Sequence, residues 1–135
     1  RIMAAVLRLS RKGKFADNFH HDGIAALIDI ETGLVNTVGV DRKWNRYTVH
    51  PDSRKSIVGF QIPKWSEILA TVKKAAWVHP EVRYVGWDVT IKGNGEIVLI
   101  EGNSGADPDV TQVEDQIGKW PLYEPLLKDI EKMKF

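Results

Sequence analysis

Asp88, Glu101 and Asn103 are three oxygen-bearing side chains at spacings that could hold a hard cation. Glu101 and Asn103 lie two apart at the end of the apolar run Ile97–Ile100, so strand alternation puts them on one face. Asp88 lies in the preceding extended run, Tyr84–Ile91, and Gly93-Asn94-Gly95 separates the two. An Asn-Gly pair between apolar runs is a strong hairpin signal. A two-residue Asn94-Gly95 turn places Gly93 opposite Glu96 and therefore Asp88 opposite Glu101. On the other face it pairs Val89 with Ile100 and Ile91 with Val98, which reads as core. Facing carboxylates repel across a ladder unless a cation lies between them. Their donors suit magnesium or manganese, with water and phosphate oxygens completing the shell. A turn of another length would shift the register, and solvated acidic pairs are ordinary on sheets, so spacing alone leaves both readings open.

The elements that would position these residues can be read from periodicity. Ile2–Leu9 reads as a buried strand ending near Arg8, followed by the polar loop Ser10–His21. Gly23–Ile30 reads as a second strand, turned by Glu31-Thr32-Gly33 into an antiparallel return over Leu34–Val40. Asp41–Ile57 is loop-rich. Apolar positions Trp65, Ile68, Leu69, Val72, Ala75 and Ala76 recur at three and four, predicting an amphipathic helix of roughly 14 residues. Pro80 closes it. Gly102–Asp109 reads as a loop, and helices are expected over Thr111–Gly118 and Leu122–Met133. Trp65, Trp77 and Trp120 read as helix anchors, Trp87 as core and Trp44 as exposed. Hairpins with a few helices predict an α+β fold in which helices pack on an antiparallel sheet.

Composition narrows the function classes. The chain has 135 residues, 43% of them hydrophobic, and a net charge of +1 with no long single-sign run. It is expected to pack one domain and to make no large nucleic-acid footprint. It has no cysteine, which removes thiolate ligands and cysteine nucleophiles and fits a cytoplasmic protein. No apolar run approaches the roughly 20 residues of a membrane span, and no signal peptide is visible.

Asp88 in Val85-Gly86-Trp87-Asp88-Val89, followed by Leu99-Ile100-Glu101-Gly102-Asn103, resembles the magnesium site of the ATP-grasp superfamily. Together with Arg8, Asp17-Asn18-Phe19-His20, Asp22-Gly23 and Gly59–Trp65, the text is most similar to the sugar-transfer-associated branch. That resemblance covers nearly the whole chain. It implies a Mg2+-dependent (or Mn2+-dependent) ligase that uses ATP to activate a carboxylate as an acyl phosphate. An amine or hydroxyl acceptor, carboxylate-bearing or sugar-linked, then receives the acyl group, in the setting of cell-surface polysaccharide synthesis. Glu101, Asn103 and Asp88 would ligate the metal. Arg8 and Asn18 would face the phosphates, and His20 would orient substrate or phosphate; Arg8, Asn18 and His20 are the expected catalytic group. Structurally, Arg8 could instead pair with Asp88, Asn18 could be a turn residue and His20 a surface residue. Relatives usually carry two glycines where this chain has Asp22-Gly23, and Gly23 is expected to supply a positive φ or a close approach. Asp107 and Asp109 could touch substrate or simply cap the next turn. Arg11, Lys12 and Lys14 form a small basic cluster, able to hold phosphate or an acidic substrate or to remain a solvated loop.

The resemblance also implies that residues 1–135 are the C-terminal part of an ATP-grasp domain, without its N-terminal subdomain and hinge. Such a piece would hold the metal and phosphate wall, would not close over ATP alone, and would favour self-association through its exposed edge. The competing readings are a non-catalytic metal- or ligand-binding α+β domain, and a phosphoryl- or nucleotidyl-transfer enzyme of another fold.

Overall fold

The computed structural model describes residues 1–13 and 19–133. The expectations for Lys14 and Asn18 fall outside the described residues. The first four strands are β1 (Val6–Leu9), β2 (Ile24–Leu27), β3 (Gly39–Val40) and β4 (Arg46–Tyr47), in sheet order β1-β2-β3-β4 and antiparallel throughout. A second sheet pairs β5 (Gly86–Ile91) with β6 (Ile97–Asn103). Helices α1 (Trp65–Ala76) and α2 (Trp120–Lys132) complete the α+β architecture.

One apolar core serves both sheets. Ile24, Ala26 and Ile28 alternate inward from β2 and the residue after it, and meet Val35, Ile57, Ile62 and Ile68 of α1. Leu7 and Leu9 of β1 pack on this cluster, as do Val89, Ile91 and Ile97 of the second hairpin. Alternation therefore sends Arg8 and Asp88 to the faces turned away from the core.

The α1 expectation holds because Trp65 and Ile68 recur on one side, with Glu67 in the first turn and Lys73 and Lys74 in the last, matching the helix dipole. Trp65 also donates from Nε1 to the Ile30 carbonyl at 2.8 Å. Its ring lies where a side chain on Gly33 would have to go, and Gly33 has φ +76°. Gly33→Ala is expected to lower unfolding free energy by about 2–4 kcal/mol from backbone strain plus overpacking. Urea unfolding checks this; a loss below about 0.5 kcal/mol would mean that Trp65 moves aside freely.

Several expectations are corrected. The return of β2 is reduced to β3 and isolated bridges, among them Ile28 with Val35 and Leu34 with Gln61. Positive φ falls on Asp22 (66°), not Gly23, and an aspartate tolerates that region better than most residues. The expected helix over Thr111–Gly118 does not form beyond a short 3-10 turn at Asp109–Thr111. There Gln112, Asp115 and Gln116 side chains bond to nearby backbone groups and Gln116 takes φ +59°, which competes with helical bonding. Trp77 and Trp120 are largely exposed rather than anchoring, while Trp44 is exposed as expected.

Candidate functional site

The second hairpin reaches the expected pairing by a different route. Its connection is Gly93-Asn94-Gly95, closed by Gly95 N donating to the Lys92 carbonyl at 2.8 Å, with Gly95 at φ +82°. The loop is one residue longer than the Asn-Gly signal implies, so Ile91 pairs with Ile97 and Val89 with Leu99, not with Val98 and Ile100. A β-bulge between Asp88 and Val89 then leaves Ile100 as the extra residue, exposed at 63%. A bulge sets two residues against one and restores the outer register. Asp88 therefore stands opposite Glu101, and Gly86 opposite Asn103.

Two glycines keep this end of the ladder tight. Trp87 lies against Gly102, where an added Cβ would meet its ring at 2.6 Å, on the face away from Asp88. Gly86 shares the Asp88 face, and a Cβ there would meet the Ala106 methyl at 2.5 Å. Its missing side chain lets the loop after Asn103 fold across the strand end.

Arg8 donates from Nη2 to Asp88 Oδ2 at 2.9 Å, joining the two sheets, with both side chains about one-third exposed. Arg8 sits opposite Ala25, a small and fully buried residue. The guanidinium thus offsets the repulsion expected between Asp88 and Glu101. The Glu101 carboxylate is exposed and has no hydrogen-bond or ion-pair partner among the described residues. Asn103 Oδ1 accepts the Gly105 amide at 2.8 Å and keeps a second lone pair. Among the described residues no group of three or more His, Cys, Asp or Glu side chains is placed to hold a metal. The donor set here is two carboxylates and an amide oxygen. It fits magnesium, which retains water and takes one or two carboxylates along with phosphate oxygens.

His20, in the turn Phe19–His21, approaches Asp109 with Nε2 to Oδ2 at 3.4 Å. Arg42 Nη1 donates to the His20 carbonyl at 2.9 Å, fixing the turn. The expectation for Asp109 is a substrate contact or a cap; its pairing with His20 has no signal in the spacing, which cannot link residues 89 apart. Arg8, His20, Asp88, Glu101, Asn103, Asp107 and Asp109 all line one open groove of about 1450 Å³. Arg8, His20, Asp88, Glu101 and Asn103 thus line the same groove, whereas Arg11 and Lys12 of the basic cluster do not. The groove's remaining cations are Arg1, Lys73 and Arg83.

A family model described as sugar-transfer associated ATP-grasp matches residues 1–131. No curated protein and no solved structure matches the chain. Among the described residues, no helix is long and apolar enough to cross a membrane.

Proposed function

Because the chain belongs to the sugar-transfer associated ATP-grasp family, we propose that it forms the metal- and phosphate-facing wall of an ATP-dependent ligase. The ligase activates a carboxylate as an acyl phosphate and passes the acyl group to an amine or hydroxyl acceptor, in the making of sugar-linked surface polymers. The observation that carries this reading is the partnerless Glu101 carboxylate, directly opposite an Asp88 already held by Arg8.

Glu101, Asn103 and the second oxygen of Asp88 would hold magnesium or manganese. When bound, that ion would neutralise charge on the transferring phosphoryl oxygens and align them for in-line displacement. Arg8 does two things in this arrangement. It fixes the Asp88 carboxylate in one orientation, and it sets a permanent positive charge beside the phosphate path. His20, braced by Asp109 and Arg42, would orient a phosphate or the acyl group from the opposite side of the groove. Asn18 retains its family assignment to the phosphates.

In this reading the chain is the C-terminal part of the domain, and the adenine contacts lie elsewhere. Titration calorimetry with Mg2+ plus ATP, GTP or inorganic triphosphate tests it. All three ligands should bind weakly and within about threefold of one another, as expected of an electrostatic wall without a base pocket. A preference for ATP above about tenfold, or about 1.4 kcal/mol, would overturn the one-wall reading.

A further inference from the structure

A second pocket, of about 300 Å³, lies beyond the end of β1 and does not share the groove's lining. Its cations are Arg11, Lys12 and Lys43, and its acids are Asp22, Asp41 and Asp52. Each acid is already committed. Asp41 is 3% exposed, and its carboxylate accepts from the backbone N–H of Lys43 and Asn45, from Asn45 Nδ2 and from Tyr47 Oη, all at 2.9–3.0 Å. Burial opposes its charge, but bonds from Asn45, Tyr47 and the two amides hold the carboxyl below its usual range. Asp52 accepts the Lys12 amide at 2.7 Å, and Asp22 lies 3.8 Å from Arg42 Nε.

The acids therefore work as a scaffold that positions the cations. Asp41 and Asp52 pin the backbone of Lys43 and Lys12. Tyr47, itself tied to Asp41, carries the Arg11 guanidinium over its ring at 5.7 Å and takes a 3.4 Å bond from Arg11 Nη1. Among the described residues, the Lys12 and Lys43 ammonium groups have no hydrogen-bond or ion-pair partner. Three positive groups from two separate loops thus converge on one small cavity; Arg11 also stands 4.0 Å from Asp41 Oδ2, so the two lysine ammonium groups are the charges left to a ligand.

We propose that this pocket binds a terminal oxyanion, a carboxylate or a phosphate, of the acceptor substrate. Arg11 would give a planar fork and the two lysines mobile charges, the usual division of labour around such anions. Arg11 lies just past the end of β1, the strand whose Arg8 lines the groove, so an anion held here would sit at the next stretch of the same segment. The acceptor assignment rests on the ligase reading; anion binding does not.

The test uses the 135-residue chain without nucleotide, titrated with inorganic phosphate, succinate and glucose 1-phosphate and followed by amide NMR. Saturable shifts should cluster at Arg11, Lys12, Lys43 and Asn45, and Lys43→Glu should weaken binding at least tenfold with the rest of the spectrum unchanged. Glu101→Gln should leave this binding intact. A preference for succinate would identify a carboxylate acceptor, and a preference for glucose 1-phosphate a phosphorylated one. Shifts scattered over all basic residues, or equal binding by Lys43→Glu, would overturn the site. Failure of Mn2+ to bind at Glu101 while these shifts persist would instead remove the ligase reading, and with it the acceptor assignment, leaving a bare anion site.

Discussion

Glu101→Gln is expected to weaken Mn2+ binding to this chain by at least about tenfold, and to cut turnover of a complete ligase by about a hundredfold or more. The substitution keeps size and shape and removes one charge. Glu101 is exposed and has no bonding partner among the described residues, so the midpoint of thermal unfolding should stay within about 2 °C of the parent. The size of the effect follows from the local balance of charge. Arg8 already offsets Asp88, so Glu101 supplies the uncompensated negative charge of the donor set. Asp88→Asn should also weaken the metal, but by a mixed route. It removes a ligand charge that also offsets Arg8, so the guanidinium opposes the incoming cation more strongly. The two variants are therefore distinguishable by salt, since repulsion by Arg8 is screened and a lost first-sphere ligand is not. Mn2+ electron paramagnetic resonance with calorimetry reads both constants. Unchanged affinity in Glu101→Gln would remove the metal assignment and leave an ordinary polar hairpin.

How much of this was legible in the chain depends on the length scale of the signal. The facing of Asp88 and Glu101 was inferred from a two-residue turn, yet the loop has three residues and a bulge at Ile100 restores the register. Gly93 beside Asn94-Gly95 is the only local hint of the longer loop, and nothing marks Ile100 as the bulged residue. The inner pairs Val89–Leu99 and Ile91–Ile97 were misread for the same reason. Helix α1 was readable because a dozen residues share one period. Residues 111–118 carry helix-compatible apolar spacing, but Asp115, Gln112 and Gln116 draw the backbone into turns. The contact of Arg8 with Asp88 spans 80 residues and could be named only as one of two options. His20 with Asp109, and the Asp41–Tyr47–Arg11 relay, depend wholly on how the loops meet.

The Glu114 carboxyl was invisible to spacing arguments and gives the second large effect. It is 3% exposed, and among the described residues neither of its side-chain oxygens has a hydrogen-bond partner. Burial pushes its pKa up to about 7; its own backbone N–H and Lys119 oppose the rise, and Asp115 and Asp109 add to it. The Lys119 ammonium is bound to Asp115 and acts on Glu114 only through its charge. The folded state therefore holds the proton more tightly than the unfolded chain does, so the stability contributed is complete below about pH 4.5 and is lost as pH rises toward 7. The shift corresponds to about 3 kcal/mol between these limits. Glu114→Gln cannot titrate. Urea unfolding should then show the parent losing about 3 kcal/mol relative to the variant between pH 4.5 and pH 8, with no further divergence above pH 8. A buried amide costs a roughly constant amount across this range, so the diagnostic is the difference in slope and not the offset. Parallel pH profiles would mean that water or local opening already solvates the carboxylate. Glu114 lies between Asp109, which meets His20, and α2, so its ionisation acts on the segment that joins them.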